Sequence, residues 1–237
     1  PFGLDSFKRG FATRLPVTKA LCVGIYMETL WRYMDYSKFM QLLTQKSLYF
    51  CGSRNFVDPF EGQYAWGKTG NAKFVETQRN LHIKNGGGID FEFFMAMNMK
   101  TLSDISKQTY INCWHHSEHE SDAMWELYCK NPSEGVLIKT TRENLQAVLE
   151  PSKLKKLTIK PVKYVNNYWI KHYNPEQDVF FRKRTSFEHE KEYRAIFQNE
   201  PNQGGVHGHL IPVDLEKLIS EVRVSPLVNQ TFFDLVK

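Results

Sequence analysis

The segment Glu188-His-Glu-Lys-Glu-Tyr-Arg194 sets Glu190, Glu192 and Arg194 at alternate positions. Alternate residues of a β-strand share a face, so both carboxylates and the guanidinium are expected to look into one cleft. Carboxylates held that way can stabilise a developing positive charge or take a proton. Two earlier segments carry matching chemistry. In Leu30-Trp-Arg-Tyr33, Arg32 falls on the face opposite Trp31 and Tyr33; Leu48-Tyr-Phe50 leads to Phe56-Val-Asp-Pro-Phe-Glu61, which supplies Tyr49, Asp58 and Glu61. Tyr49 and Phe50 point opposite ways on a strand, and Phe50 is the more natural core residue.

One reaction asks for this set. Cleaving the nicotinamide N-glycosidic bond of NAD passes through an oxocarbenium-like ribosyl cation, which needs a carboxylate beside the ribose. It also needs a cation to hold the dinucleotide and an aromatic ring to clamp the nicotinamide. Glu192 is the expected carboxylate, with Glu190 orienting or deprotonating the acceptor. Arg32, Tyr49, Tyr33 and Arg194 are the expected contacts to NAD as co-substrate, and Asp58, Glu61, His115 and Trp125 line a substrate or structural pocket. Other readings stay open. Glu-Lys-Glu also reads as a solvated edge, Arg32 as a buried ion-pair partner of Asp58 or Glu61, and Asp58 as a turn residue binding backbone N–H groups.

Trp114-His-His-Ser-Glu-His-Glu120 puts His115 and His119 at the spacing of a helical metal pair, with Glu118 or Glu120 to complete a set. It is not H-E-x-x-H, and no cysteine lies suitably close to complete a ligand set. No metal is therefore expected; histidines at a helix start can instead donate to an anion. Gly86-Gly-Gly88 lacks the following G-K-[ST] of a P-loop and reads as a flexible turn.

These residues need strands to aim them. Apolar alternation predicts strands over Thr29–Asp35, Ser47–Cys51, Thr109–Trp114, Gly135–Thr140, Leu157–Val165, Glu192–Phe197, His209–Val213 and Glu221–Val224. Helical spacing of Tyr36, Phe39, Met40 and Leu43 follows a cap at Asp35 or Ser37. Further helices are expected over Phe91–Ser106, from Ala123 to Tyr128, over Arg142–Leu149 and over Asp214–Ser220. Residues 62–89 show no sustained period. Interleaved elements with short connections imply an α+β fold with a mixed, mainly antiparallel sheet. The expected organisation is an arm and first strand over 1–29, then one domain over 30–237 with an inserted flap around 62–106.

The 237 residues, 41% hydrophobic and 24% charged, exclude disordered and collagen-like classes. Lys and Arg outnumber Asp and Glu by 31 to 26, which favours a polyanionic partner without requiring one. The expected basic surface combines Lys153, Lys155, Lys156, Lys160 and Lys163 with Arg182-Lys-Arg184. Cys22, Cys51, Cys113 and Cys129 are widely spaced and lack a C-x-x-C pair, as expected of free thiols in a reducing compartment. The apolar run Ala20–Met27 is too short for a signal peptide or membrane span and ends at Glu28, so a cytoplasmic protein with no membrane partner is expected.

Taken in order, these segments with Ile111-Asn-Cys-Trp114, Met124-Trp-Glu-Leu-Tyr128 and Gly135-Val-Leu-Ile138 resemble the domain-of-unknown-function 2971 family of bacteria and mobile elements. The resemblance runs from Leu30 to Val224, with departures at Cys51, Val57 and Tyr193, where Ser, Asn and Trp are usual. It implies antiphage defence and names no activity. The order of a basic residue on a first strand, a helix, an aromatic residue on a second strand and a late Glu-x-Glu is similar to that of ADP-ribosyltransferases. That likeness implies their split sheet and an NAD-dependent transfer, in defence or toxin action, to a nucleic acid or protein acceptor, with an antitoxin or phage component as partner. Two rivals stand beside it. One is a metal-dependent nuclease built on Asp58, Glu61 and the histidines; the other is a non-catalytic sensor or binding module.

Overall fold

The computed structural model describes residues 28–56, 58, 61–62, 72–165, 178–199 and 207–237. The expected N-terminal arm and first strand, up to residue 27, lie outside the described residues. In chain order the elements are β1 (Thr29–Asp35), α1 (Tyr36–Gln45), β2 (Ser47–Gly52), α2 (Ala72–Lys84), α3 (Phe91–Gln108), β3 (Thr109–His116), α4 (Asp122–Tyr128), β4 (Gly135–Thr141) and α5 (Arg142–Leu149). They continue with β5 (Thr158–Pro161), β6 (Lys163–Val165), β7 (Arg182–Arg184), β8 (Glu192–Gln198), β9 (Gly208–Pro212), α6 (Leu215–Leu218), β10 (Glu221–Val224) and α7 (Gln230–Val236). The fold is α+β with mainly antiparallel strand pairing, as the interleaved pattern implies. The chain divides into two compact units: the first takes residues 28–49, Cys113–Lys153 and Leu210–Lys237, the second Phe50–Asn112 and Leu154–His209.

In the first unit the strand order is β10-β4-β1-β3. All of β1 pairs antiparallel with β4, from Thr29↔Thr141 to Asp35↔Gly135, and β10 covers the other side of β4 from Glu221↔Lys139 to Val224↔Val136. β1 meets β3 through Leu30↔His116 and Trp31↔His115. One face of this sheet buries Trp31, Tyr33 and Leu137 against Met124, Trp125 and Cys129 of α4 and its end. That packing is close at Gly135, where a Cβ would lie 3.0 Å from Trp125 Cε3 and 3.1 Å from Cys129 Sγ. In α1 the buried residues are Phe39 and Leu42, while Met40 and Leu43 of the expected stripe are exposed. Asp35 occupies the cap position of α1 without capping it; its Oδ1 accepts the Lys130 N–H at 2.8 Å instead.

In the second unit β8 pairs with β5 antiparallel, from Thr158↔Ile196 to Pro161↔Tyr193, and also with β3, which pairs with β2 through Cys51↔Ile111 and Gly52↔Tyr110. Every residue of β8 is buried. Phe197 packs against Phe50 edge-on at 5.2 Å and stacks on Tyr110 at 5.3 Å, so the unit's apolar centre is aromatic. The expected strand 157–165 is broken at Val162, after Pro161, and the Val162 N–H turns to the Glu192 carbonyl at 2.9 Å. Part of the segment without a visible period is helical: α2 leads through a Gly86-Gly87 turn to α3, which is capped by Asp90 accepting from Phe93 N at 3.0 Å. His82 closes that turn through the Ile89 carbonyl at 2.8 Å. A local polar network of this kind leaves no apolar periodicity to read.

Candidate functional site

On β1 of the first unit, alternation sends Trp31 and Tyr33 into the core and Arg32 to the other face. The Arg32 guanidinium lies over the Trp114 ring, 5.7 Å from its centroid, and its Nη2 reaches the Tyr49 carbonyl oxygen at 3.5 Å, the long limit of a hydrogen bond. Among the described residues Arg32 has no carboxylate partner. Burial pulls its pKa down to about 10, against a smaller opposing influence of the Cys113 thiol. A half-buried guanidinium without a carboxylate partner among the described residues is held at a cost that an anion relieves. Tyr49 is 39% exposed on β2, while Phe50 is fully buried.

Tyr33, expected to contact NAD, and His115 and Trp125, expected in a substrate or structural pocket, lie on the packed face of this unit. The Tyr33 hydroxyl accepts the Ser121 N–H at 2.7 Å, and its ring meets Trp125 at 5.0 Å and His115 at 6.1 Å, both edge-on. Burial pushes the Tyr33 phenol up to about 12. His115 and His116 complete β3 and His119 follows in a bend, so the helical spacing of a metal pair does not arise. Among the described residues no three His, Cys, Asp or Glu side chains are grouped to hold a metal ion. The Trp125 Nε1 is buried and has no hydrogen-bond partner among the described residues.

The second unit gathers Glu61, Lys183, Glu190, Glu192 and Arg194 into one buried ion cluster. Lys183 Nζ donates to Glu190 Oε2 at 2.8 Å and lies 3.5 Å from Glu61 Oε1 and 3.8 Å from Glu192 Oε2. Arg194 donates to Glu61 Oε1 and to the Phe180 carbonyl at 2.6 Å each; it also binds Glu192 Oε2 through Nε at 3.0 Å and through Nη2. The Phe56 ring covers the Arg194 guanidinium, 5.2 Å from centroid to carbon. Gly62 makes room for this corner. Its φ of +64° suits glycine, and a Cβ there would meet the Phe180 ring at 2.9 Å. Arg184 Nε pairs with Asp58 Oδ2 at 3.2 Å.

Two sequence expectations change here. Glu190 is not on the strand with Glu192: it ends a 3-10 turn, Thr185–Glu190, and the left-handed Lys191 separates the two. The carboxylates still converge on Lys183, by a turn rather than by strand alternation. Asp58 and Glu61 meet Arg184, Arg194 and Lys183, cations of their own unit, rather than Arg32, their partner in the alternative reading. Sequence reading assigned Lys183 to a surface run, whereas it is 7% exposed. The signal lay in the strand period: in Arg182-Lys-Arg184 the middle residue faces opposite to its neighbours. Tyr164, whose hydroxyl accepts the Glu192 N–H at 2.7 Å, is likewise part of the cluster's frame.

Burial alone would lower the Lys183 pKa, but the combined pull of Glu192, Glu61 and Glu190 outweighs it and the net shift is upward. Three carboxylates around two cations leave the cluster one negative charge in excess if all are ionised. Such a group can lock a fold, and it fixes its carboxylates in hydrogen bonds. Comparison with protein-family models, curated proteins and solved structures finds no match to this chain.

Proposed function

We propose that the chain binds a phosphate-bearing nucleotide through Arg32, and that the nucleotide is NAD. The observation that carries this is the Arg32 guanidinium itself, desolvated, lying on Trp114, and without a carboxylate partner among the described residues. Arginine matches phosphate oxygens through its forked donors, and partly dehydrated surroundings strengthen that contact. The exposed Tyr49 supplies ring surface in the same unit, while the buried Trp114 backs the Arg32 guanidinium. The finer form of the proposal is an ADP-ribosyltransferase-like enzyme, acting on a nucleic acid or protein acceptor in antiphage defence. In that form Glu192, a residue of the second unit, is tested separately from Arg32.

A second reading is favoured by the pairing of Glu192 with Arg194 and Lys183, which already occupies that carboxylate. On that reading the chain recognises the nucleotide without consuming it. Calorimetric titration with NAD, ADP-ribose and nicotinamide, beside an assay of nicotinamide release in cell extract, separates the two. NAD and ADP-ribose are expected to bind and nicotinamide alone to bind far less. Arg32→Ala is expected to weaken both nucleotides about tenfold or more, as loss of one charge-assisted contact implies. Binding should also fade as pH rises through about 10, where Arg32 loses its proton. Nicotinamide release abolished by Glu192→Gln supports the transferase; nucleotide binding with no release supports the sensor. Absence of nucleotide binding, or binding indifferent to Arg32→Ala, overturns both.

A further inference from the structure

β9 pairs with β2, and in the second unit the start of that pairing is held by polar contacts around two histidines. The His207 carbonyl accepts the Gly52 N–H at 2.9 Å and the Asn55 side-chain amide at 2.8 Å. Two residues on, the His209 Nε2 lies 3.0 Å from Asn199 Nδ2, just past the end of β8. Asn199 is itself fixed, because its N–H donates to the Gln108 carbonyl at 2.9 Å. The His209 ring stands edge-on to Tyr110 at 4.3 Å and to Phe197 at 6.0 Å, which sets it against the unit's aromatic centre.

An amide nitrogen only donates, so this contact requires the His209 Nε2 to accept, with the ring neutral and its proton on Nδ1. An imidazolium would set donor against donor and place a charge in a half-buried position. The elements packed around the ring bring it no counter-ion: β3 presents the Tyr110 phenol, and β8 presents Phe197 and the Asn199 amide. Cys51 on β2 is a thiol whose pKa burial raises, and the exposed Arg54 beyond it is a cation. At the end of α3 Asp104 is paired with Lys107, and His207 adds only a second, exposed imidazole on the same stretch. Burial accordingly holds the His209 pKa below the ordinary histidine value of about 6.5.

We propose that His209 is an acid-released latch: a proton on Nε2 detaches the ring from Asn199 and frees the His207–His209 stretch from Gly52 and Asn55. The latch does not depend on nucleotide binding. Because the fold favours the neutral ring, its stabilisation is whole above about pH 6.5 and is lost as pH falls through the lower folded value. Opening therefore grows with acidity, and it leaves the end of β2 as an unpaired edge that another strand can join.

The experiment follows hydrogen exchange of single amides in the full chain by NMR at about pH 7.5 and about pH 5, with long-range proton–nitrogen spectra of the imidazoles. At the higher pH His209 should be the neutral tautomer protonated on Nδ1. On acidification the Gly52 amide is expected to lose protection by about fivefold or more, as loss of one hydrogen bond implies. The Val162 amide, bound to the Glu192 carbonyl, should keep its protection. His209→Phe leaves a ring that cannot titrate and should make Gly52 protection independent of pH. Asn199→Asp gives the imidazolium a carboxylate and should reverse the sign, raising the His209 pKa and preserving protection in acid; it also serves where His209→Phe fails to fold. A neutral His209 protonated on Nε2 overturns the proposal. So does Gly52 protection that ignores pH, an equal loss at Val162, or the same loss in His209→Phe.

Discussion

The Lys183 ammonium donates to the Glu190 carboxylate at 2.8 Å while both side chains are buried, and the same nitrogen lies within 4 Å of Glu61 and Glu192. One cation thus joins residues from three separate stretches of the second unit. Lys183→Met removes the charge and keeps most of the stem, leaving buried carboxylates short of a partner. A loss of about 3–5 kcal/mol is expected, read as a shift in the urea unfolding midpoint. Lys183→Arg should recover part of it. A Lys183→Met protein as stable as wild type would show the cluster to be solvated in solution.

The same lysine sets a pH window. Its folded pKa is raised, so its contribution is complete below the ordinary lysine value of about 10.4 and is lost as pH climbs through the higher folded value. The stability gap between wild type and Lys183→Met should accordingly be constant from neutral pH to about 10 and narrow above it. Paired urea titrations across that range check this, and a gap that widens at high pH would contradict the sign.

Gly135→Ala addresses the first unit. The added Cβ would press on the Trp125 ring and the Cys129 sulfur at 3.0–3.1 Å, in a core with buried neighbours on that side. Overpacking of this kind costs about 1–3 kcal/mol, so a lower melting temperature is expected, with near-ultraviolet circular dichroism reporting a displaced tryptophan. An unchanged melt would mean that α4 yields freely.

Much of the strand pattern was legible because β1, β2, β3, β4 and β8 alternate or run apolar for long enough to exceed noise. The inward Phe50 and outward Tyr49 followed from period two alone. Long-range pairing was not legible in the same way. Which cation meets Glu61 depends on a turn at Gly62 and on a parallel pair of three-residue strands, and neither leaves a sequence period. Glu190 was assigned to a strand because Glu-Lys-Glu alternates, yet Lys191 takes a left-handed backbone that the pattern does not announce. Tyr33, His115 and Trp125 looked like site residues for being polar and aromatic; one hydrogen bond to Ser121 and ring packing account for Tyr33 inside a core.

The division of the chain bears on the order in which it is made. β4, at the middle of the first unit's sheet, receives β1 from the start of the described chain and β10 only at Glu221–Val224. On a ribosome, the second unit's last residue, His209, is synthesised before β10 exists, so its strands are all available while one side of β4 is still open. A nascent chain passes through a stage at which Val136 and Ile138 await Val224 and Val222. During that interval the edge of β4 is a template for any other strand that reaches it, and slow translation between Leu210 and Val224 would lengthen the exposure.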